Sequence, residues 1–523
     1  MNTAEFLMIA SSVVPDRTAM VCEDRSRTYA EMQDRVNRLA NAMQGLGIQQ
    51  GDKIAVMAMN SMEFVEVYYA GAKLGVVFVP LNYRAKQEEI IYMCNNSEAV
   101  ALFVGARYLD LANYIKPELE TVKHLVAIDE KLDHMIPLAD LIAQNEPEEI
   151  FTDIQDLDPT IVIYTSGTTA LPKGVVLTYL GMSVYVTNTV EPADPGAESV
   201  DVLLVSVPFY HVAGATTMLS SVWGGRKMVI LPQFDPGAWL KAVQEHGVTH
   251  SFVVPTMLKR IMEHEDFAKT DLSSLKLVAY GAAPMPYEVV TRAVEVMPCG
   301  LMNAYGQTES TSSLTFLGPD DHKVPADEGP DRDRALARLR SVGKPMGDIV
   351  VGIMDPDGNL LGPGQEGEIV AQGERVMSGY LNREEETSAA IKGGWLHTGD
   401  VGWMDDDSYL YITGRTKDLI IRGGENIAPG EIEGVLQQHD AVEDAAVIGV
   451  PDVEWGEEVK ALVVLKPGHN ATEEELTTFV KGRLASFKAP KFYTFVDDLP
   501  RNYLGKVLKT DLRKQYGEAK SGA

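Results

Sequence analysis

Short, almost wholly apolar runs alternate with helical patterns from Met1 to about Gly414, and this alternation constrains the fold most. Lys53–Met57 is predicted as a strand, Ser61–Lys73 as the helix after it, and Val76–Val79 as the next strand. Runs this apolar are typical of strands buried on both faces. Strand–helix alternation over several hundred residues predicts parallel α/β sheets. Further strands are predicted at Thr160–Tyr164, Val202–Val207, Lys227–Leu231, Phe252–Val254 and Lys276–Tyr280.

Two sections of different character follow. Turn residues at Asp355–Gly358 and Asp405–Ser408 are typical of links between antiparallel strands, and we expect a small β-barrel-like section there. In the last hundred residues, short strands and a helix over Thr472–Leu484 predict a small α+β domain. Because 523 residues are too many for one core, we predict a large N-terminal domain over residues 1–416 and a small, mobile C-terminal domain over 417–523.

Charge and cysteine content exclude several classes of function. The 75 acidic and 46 basic residues give a net charge of −29, which repels nucleic acid and anionic membranes. Cys22, Cys94 and Cys299 are far apart and match no disulfide framework or zinc motif, so we expect a cytoplasmic protein. Met1–Val14 lacks a signal-peptide pattern, and no run of 18 apolar residues predicts membrane insertion.

The stretch Ile161–Gly174 carries the strongest chemical signal. A strand leads into hydroxyl residues around a flexible glycine, and the loop ends at Lys173 and Gly174. Hydroxyls and exposed backbone N–H groups bind phosphate, and a lysine adds positive charge. The order differs from a Walker loop, because Lys173 precedes the glycine here. We predict a phosphate-binding loop over Thr165–Gly174, with an ordinary surface loop as the alternative; its polar residues are Thr165, Ser166, Gly167, Thr168, Thr169 and Lys173.

This loop resembles the signature of the adenylate-forming superfamily, which includes acyl-CoA synthetases, beetle luciferases and peptide-synthetase adenylation domains. Further matching motifs stand in the superfamily's order along nearly the whole chain, at Gly281–Met285, Asn303–Glu309, Trp395–Asp400, Gly414–Asp418 and Pro500–Lys509. The resemblance implies an enzyme that joins a carboxylic acid to ATP as acyl-AMP, releases pyrophosphate, and then passes the acyl group to CoA. The implied cofactors are ATP, Mg²⁺ and CoA.

The resemblance also implies roles in nucleotide binding. Tyr305 would stack on adenine, and Asp400 would accept hydrogen bonds from both ribose hydroxyls. Thr308 would contact the α-phosphate, while Glu309 would ligate Mg²⁺, for which a hard carboxylate oxygen is suited. Other residues expected at the nucleotide or the metal are Thr168, Gly281, Ala282, Ala283, Pro284, Asn303, Ala304, Gly306 and Arg415.

By the same resemblance, Lys506 is the catalytic lysine. Negative charge gathers when a carboxylate attacks the α-phosphorus, and a desolvated ammonium stabilises it. Lys506 would arrive on a mobile C-terminal lid that pivots at Lys417 and then presents a second face for thioester formation. On that face, Gly423 and Gly424 would leave room for the pantetheine arm. Lys509 is expected to be an exposed lysine of the C-terminal tail.

A basic segment near the C-terminus stands out in this acidic chain. Eight Lys and Arg residues lie between Arg483 and Lys514, against three acidic residues within the same segment. Such a reversal of charge suits the phosphates of CoA, for which Lys488 and Lys491 are candidates. A solvated helical face is the alternative interpretation.

The block Phe209–Gly214 resembles the one that borders the acyl pocket. His211 matches a residue that often gates this pocket. Val212 follows where amino-acid-activating domains carry an aspartate, which argues against an amino-acid substrate. Val254, Ala282 and Gly306 are also expected to line the pocket, so a neutral aliphatic (medium or long chain), alicyclic or aromatic acid fits best. Two departures are Ala170, where the phosphate loop commonly has glycine, and Tyr179, where members often have histidine.

Alternatives to an acyl-CoA synthetase stay open. One is a stand-alone adenylating enzyme that loads an acyl carrier protein. Another is a catalytically inactive nucleotide-binding regulator, against which the joint presence of Thr308, Glu309, Asp400, Arg415 and Lys506 speaks. A light-emitting oxidation is compatible with the motifs but would depend on the shape of the pocket. A homodimer is one possible assembly.

Overall fold

The computed structural model describes residues 2–129, 134–165, 171–422, 425–453, 455–501 and 505–517, and the side chains of Glu425 and Asn426 are outside the description. The helices are α1 Ala4–Val13, α2 Tyr29–Gly45, α3 Met62–Lys73, α4 Gln87–Asn96, α5 Leu109–Ile115, α6 Leu138–Ala143, α7 Tyr179–Thr189, α8 Val212–Trp223, α9 Pro236–His246, α10 Pro255–Met262, α11 Tyr287–Val296, α12 Pro330–Arg338, α13 Glu384–Ala390, α14 Pro429–Leu436, α15 Glu473–Lys481 and α16 Lys509–Tyr516. None of these described helices has the length and apolar character needed to cross a bilayer.

Strands alternate with these helices in the first two thirds of the chain and dominate the rest. They are β1 Thr18–Cys22, β2 Arg25–Thr28, β3 Lys53–Met57, β4 Val77–Pro80, β5 Ala99–Val104, β6 His124–Ala127, β7 Ile136–Pro137, β8 Pro159–Thr165, β9 Lys173–Thr178, β10 Val202–Val205, β11 Lys227–Ile230, β12 His250–Val253, β13 Leu277–Gly281, β14 Gly300–Gln307, β15 Ser312–Leu317, β16 Lys344–Pro345, β17 Val350–Met354, β18 Gly367–Gln372, β19 Gly379–Tyr380, β20 Ile391–Lys392, β21 Trp395–Met404, β22 Leu410–Arg415, β23 Ile420–Arg422, β24 Glu425–Ile427, β25 Val442–Asp452, β26 Gly456–Leu465 and β27 Phe492–Phe495.

Two sheets with parallel centres form the large N-terminal part, as the alternating pattern predicted. A nine-stranded sheet has the order β16-β15-β14-β13-β12-β10-β11-β1-β2, and an eight-stranded sheet has the order β19-β9-β8-β4-β3-β5-β6-β7. The strands from β14 to β1 in the first order run parallel, while β15, β16 and β2 pair antiparallel at the edges. The strand predicted at Lys53–Met57 is confirmed with the same bounds, and the others shift by a few residues.

Alternate side chains of parallel strands such as β3 and β10 enter different cores. On β3, Ile54 and Val56 belong to the core that both sheets share, while Ala55 and Met57 face a second core with α4 and α5. Strand β10 divides its residues in the same way between the shared core and a third core that includes α9, α10 and α11. Strands buried on both faces need apolar residues at every position, which explains the continuous apolar runs.

The turn-rich section is a five-stranded antiparallel sheet of β17, β18, β20, β21 and β22. The predicted turn at Asp355–Gly358 follows β17, where Gly358 has a φ of +88°. The predicted turn at Asp405–Ser408 joins β21 to β22, with the Ser408 N–H donating to the Asp405 carbonyl at 3.0 Å. Both turns are therefore confirmed, and this sheet is the small section that was expected to be barrel-like.

A fourth sheet begins at Ile420 and forms the small C-terminal part. Its order is β24-β23-β26-β25, with β27 parallel to β26. Helices α14 and α15 cover one face, and α16 covers the other through Leu512. The predicted cap of α15 is confirmed, since the Glu475 N–H donates to the Thr472 hydroxyl at 3.2 Å.

One buried ion pair joins the nine-stranded sheet to the antiparallel section. Arg375 is fully buried, and its Nε lies 2.6 Å from a carboxylate oxygen of Asp348. The same guanidinium donates to the carbonyls of Ser310 and Ser313, at 3.1 and 2.6 Å. Arg375 therefore fixes the backbone that directly follows Thr308 and Glu309.

Replacing Arg375 with methionine should destabilise the protein by about 3–5 kcal/mol, because Asp348 would keep a buried, uncompensated charge. Urea unfolding followed by circular dichroism measures this change. A matched control is Lys241→Met, which breaks an exposed ion pair with Glu245 and should leave unfolding unchanged. Unfolding of the Arg375 variant at the wild-type urea concentration would contradict the structural role of this pair.

Candidate active site

The predicted site segments lie at the carboxyl ends of parallel strands. Val254 follows β12, the turn of residues 282–284 follows β13, and Thr308 follows β14. These strands are neighbours in the nine-stranded sheet, so their carboxyl ends share one edge. Ligands of open α/β sheets bind outside this edge. Segments that are far apart in sequence thereby form one continuous surface.

The ends of the predicted phosphate loop are held in a β-ladder. Thr165 is the register partner of Lys173 in the antiparallel pair of β8 and β9. The ammonium of Lys173 lies 5.1 Å from the centre of the Tyr380 ring, within the range of a cation–π contact. The remaining predicted loop residues, Ser166, Gly167, Thr168 and Thr169, lie outside the described residues, as does Ala170.

Backbones approach closely at the predicted adenine turn. A Cβ on Gly281 would stand 2.1 Å from the carbonyl oxygen of Ala304, and a Cβ on Gly306 would stand 2.0 Å from that of Ser312. Both positions therefore require glycine. Ala282 has a φ of +64°, the left-handed conformation that side chains rarely adopt. Strain of this kind is found at functional sites. Ala283 and Pro284 complete the turn, and Asn303 is buried on the neighbouring strand.

A buried carboxylate joins the predicted adenine and ribose residues. The Tyr305 hydroxyl donates to Asp400 Oδ2 at 2.9 Å, and Arg415 Nε lies 2.8 Å from Asp400 Oδ1. Asp400 and Arg415 are register partners on β21 and β22. Burial, with the Asp400 charge, raises the pKa of Tyr305 well above its ordinary value, so this phenol stays neutral and donates. Tyr305, Asp400 and Arg415 thus form one cluster.

Glu309 is held from two directions. Thr308 and Glu309 lie in a single 3-10 turn after β14, and the Met377 N–H donates to the Glu309 carbonyl at 2.8 Å. The Tyr380 hydroxyl donates to Glu309 Oε1 at 2.9 Å. Among the described residues, no three His, Cys, Asp or Glu side chains gather into a metal cluster. Magnesium is commonly held by one or two carboxylates plus substrate phosphates, so Glu309, which Tyr380 links to Lys173, suits that ion.

Lys506 reaches this surface from the C-terminal part. The preceding Gly505 lies against Thr256 of α10, where a Cβ would stand 2.8 Å from the threonine methyl. Burial lowers the pKa of Lys506 to about 8; the positive charge of Arg415 adds to this effect, and Asp400 opposes it. Burial likewise lowers the pKa of Lys417. The structure therefore brings Lys506 beside the cluster of Asp400 and Arg415.

His211 is half-buried and caps the N-terminus of α8. Its Nδ1 accepts a hydrogen bond from the Ala213 N–H at 3.2 Å, which places the proton of the neutral ring on Nε2. Burial lowers the pKa of His211 to about 4, so the imidazole is uncharged at neutral pH. Asn60 fixes the preceding loop, because its side-chain oxygen accepts from the Phe209 N–H at 2.8 Å. Asn60 carries no motif that would have marked it in the sequence.

The residues predicted for the acyl pocket do not all lie together. Val254 and Ala282 form an apolar cluster with Val207, and Phe252 and Met257 pack against it. Val212 is instead buried in the core shared by the two large sheets. Gly306 packs on the backbone of β15, as described above. The structure thus brings Val254 and Ala282 together but not Val212 with them.

The basic segment is largely neutralised by acidic residues outside it. Its side chains pair with other parts of the C-terminal region: Lys488 with Glu431, Lys491 with Asp452 and Glu458, Arg501 with Asp444, Lys509 with Glu433, and Arg513 with Asp418. For Lys488 and Lys491 the helical alternative is wrong, because Lys488 ends a single 3-10 turn and Lys491 directly precedes β27. Counting the charges within this segment missed its acidic partners, because those residues lie elsewhere in the chain and meet the segment only in the fold.

The prediction that Lys509 is an exposed tail lysine is also wrong. It is the first residue of α16, its side chain is 16 % exposed, and its ammonium lies 2.7 Å from Glu433. Burial of Leu512 draws this helix onto the sheet.

Two further contacts support the site and were missed in the sequence. One is Tyr380, whose short strand β19 pairs with β9. The other is Glu368, which accepts from His397 Nδ1 at 2.7 Å and from the Gly399 N–H at 3.0 Å. These bonds hold the turn directly before Asp400. Both contacts join residues far apart in the chain, so no local pattern indicates them.

Comparison with known proteins matches this architecture. The model of the AMP-binding enzyme family matches residues 10–381, and that of the AMP-binding enzyme C-terminal domain matches residues 431–506. The chain is 35 % identical over 505 residues to a feruloyl-CoA synthase of Amycolatopsis sp, covering 96 % of each chain. It is 34 % identical over 511 residues to 2-succinylbenzoate–CoA ligase of Bacillus mycoides, covering 97 % of this chain and 98 % of the other.

A solved structure shows the same likeness in three dimensions. The o-succinylbenzoate CoA synthetase of Bacillus subtilis, in complex with its acyl-adenylate intermediate, has a TM-score of 0.83 at 30 % identity over 99 % of each chain. The fold and these matches define a class, and this chain belongs to the AMP-binding enzyme family. It is an ATP-dependent, AMP-forming acid–thiol ligase. The predicted superfamily and reaction class are confirmed.

The environment of Lys506 predicts a basic limb in the pH profile of adenylation. Because burial lowers its pKa to about 8, the ammonium is present below that pH and is lost as the pH rises through it. In carboxylate-dependent pyrophosphate exchange, kcat/KM should fall about tenfold per pH unit above 8. This assay omits CoA, so titration of its thiol cannot contribute.

The matched control is Lys506→Arg, which keeps a positive charge at every pH tested. The residual rate of pyrophosphate exchange by this variant should not fall as the pH rises through 8. If the wild type and the arginine variant share the same limb, another group titrates there and the assignment to Lys506 fails.

Proposed function

We propose that this enzyme converts a neutral monocarboxylic acid into its CoA thioester through an acyl-AMP intermediate. The observation that carries the proposal is the meeting of Lys506 with Asp400 and Arg415, which joins a C-terminal cation to the predicted nucleotide site. A cation held there can stabilise the charge that develops at the α-phosphate.

Two observations support a neutral acid. The assigned pocket residues Val254 and Ala282 cluster with apolar neighbours, and His211 is uncharged at neutral pH. A second carboxylate on the substrate would have no cationic partner among these residues. Relatives include the feruloyl-CoA synthase named above, and a Mycobacterium tuberculosis fatty acyl CoA synthetase is 32 % identical with a TM-score of 0.78 over 99 % of this chain. We therefore infer an aromatic or aliphatic acid, with aromatic acids first.

The first reaction step joins the acid to the nucleotide. A carboxylate oxygen attacks the α-phosphorus, an oxygen–phosphorus bond forms, and the bond to pyrophosphate breaks. Asp400 would hold the ribose hydroxyls, and Tyr305 would lie along the adenine. Lys506 would stabilise the charge on the reacting oxygens, while Lys173 would hold the pyrophosphate. Glu309 would hold Mg²⁺, which when bound neutralises charge on the phosphates.

The second step transfers the acyl group to sulfur. The CoA thiol loses its proton and attacks the acyl carbon, and AMP leaves with both bonding electrons. We infer that residues 417–523 rotate as a unit between the steps, about Lys417 in the 3-10 turn Thr416–Asp418 that joins β22 to β23. The segment with Gly423 and Gly424 would then face the pantetheine arm. Rotation also withdraws Lys506 once its task is complete and limits attack of water on the adenylate.

The test is pyrophosphate exchange with a panel of acids, followed by thioester formation with CoA. We expect exchange with neutral aromatic or aliphatic monocarboxylates and little with their dicarboxylate analogues. Exchange with dicarboxylates alone would overturn the inferred pocket. Release of product with CoA supports the proposal, whereas release only with an acyl carrier protein would establish the carrier-loading alternative.

Lys506→Ala should separate the two half-reactions. Without the ammonium, exchange should fall by at least about 100-fold, since one preorganised electrostatic group is worth that much. Thioester formation from supplied acyl-AMP and CoA should stay near the wild-type rate, because Lys506 acts only in the first step. Lys514→Ala is the control, as this residue pairs only loosely, at 4.0 Å, with Asp511. Equal loss of both half-reactions in the Lys506 variant would contradict its assigned role.

We also infer a cytoplasmic location. Cys22, Cys94 and Cys299 are free thiols, and the first two are buried. Burial raises the pKa of each of these thiols, which keeps them protonated and unreactive. A homodimer stays a prediction.

A further inference from the structure

Tyr380 contacts both Lys173 and Glu309. Its hydroxyl donates to Glu309 Oε1 at 2.9 Å, and its ring centre lies 5.1 Å from the Lys173 ammonium. Lys173 ends the phosphate loop, and Glu309 follows β14 in the other large sheet. One aromatic residue therefore spans the gap between a phosphate-binding cation and a carboxylate.

The backbone around Tyr380 is fixed on three sides. The Leu381 N–H donates to the Gly174 carbonyl at 2.8 Å, which ties the segment to the end of the phosphate loop. The Tyr380 N–H donates to the Thr387 hydroxyl of α13 at 2.8 Å. The Met377 N–H donates to the Glu309 carbonyl at 2.8 Å. Because these bonds leave the backbone little freedom, the Tyr380 side chain has a set position between its two partners.

We propose that Tyr380 is a positioning residue for adenylation, which sets the orientation of the Glu309 carboxylate toward a divalent cation bound to ATP. This inference rests on the role proposed for Glu309. The hydroxyl donates to Oε1 and so limits the rotation of the carboxylate that would hold the metal. The ring separately supports Lys173, which needs no metal to attract phosphate.

The two contacts can be separated by substitution. Tyr380→Phe removes the hydroxyl and keeps the ring beneath Lys173. Tyr380→Leu removes both. A hydrogen bond to a charged group contributes about 1.5–3 kcal/mol, which corresponds to a change of roughly 10- to 100-fold. The phenylalanine variant should therefore lose only the metal-dependent part of nucleotide binding, and the leucine variant should also lose part of the metal-independent binding.

The experiment is calorimetric titration of the full-length enzyme with α,β-methylene-ATP, once with Mg²⁺ and once with EDTA. For Tyr380→Phe we expect a Kd that is raised about tenfold with Mg²⁺ and unchanged in EDTA. In pyrophosphate exchange, the Mg²⁺ concentration for half-maximal rate should rise, while thioester formation from supplied acyl-AMP should be unaffected. The matched control is Tyr409→Phe, which removes a hydroxyl that donates to the Asp321 carboxylate at 2.5 Å, away from the assigned site residues, and it should match the wild type.

Two outcomes of the Tyr380→Phe titrations overturn the proposal. A Glu309→Gln variant separates a failure of this proposal from a failure of the role assigned to Glu309. A Tyr380→Phe enzyme that binds the Mg²⁺ complex as tightly as the wild type, or loses affinity equally in EDTA, refutes the positioning role. Glu309→Gln should abolish the gain in affinity from Mg²⁺. If it does so while Tyr380→Phe does not, only the Tyr380 proposal fails. If Glu309→Gln leaves that gain intact, the role of Glu309 fails and the Tyr380 proposal fails with it.

Discussion

The carboxylate of Asp400 is the point on which the site depends. It is buried, so its charge must be compensated, and Arg415 and the Tyr305 hydroxyl supply two of the required contacts. These partners come from the antiparallel section and the nine-stranded sheet. Lys506, which belongs to the C-terminal part, also interacts electrostatically with Asp400. One buried negative charge thus makes three sections of the chain converge.

Parallel strands provide the frame for this convergence. Strand β10 places apolar residues in two cores, β12–β14 pack against one of these cores, and the strands end together at one edge. Close backbone approach at the carboxyl ends of β13 and β14 demands Gly281 and Gly306. The buried pair of Arg375 and Asp348 then holds the segment after Glu309 against the antiparallel section. Rigid sheets and a few tight contacts together position side chains from distant parts of the chain.

The site also keeps its charged groups in defined states. His211 is neutral because desolvation lowers its pKa to about 4, and its Nδ1 caps a helix. Lys506 is easier to deprotonate than an ordinary lysine, since burial and a neighbouring guanidinium disfavour its charged form. The negative charge of a bound nucleotide would instead stabilise the charged ammonium form of Lys506. The free enzyme and the nucleotide complex should therefore differ in the protonation of this lysine, which is a property that residue identity alone does not reveal.

The sequence by itself determined the fold class and the reaction class. Continuous apolar runs such as Lys53–Met57 are imposed by burial on both strand faces, and motif residues such as Asp400 and Lys506 are required by the chemistry of nucleotides. Tertiary structure alone decided the partners of those residues. Tyr380 meets Glu309, and Lys509 pairs with Glu433, across separations of about seventy residues. Local patterns encode strand period and motif order, whereas such contacts arise only when separate elements pack together.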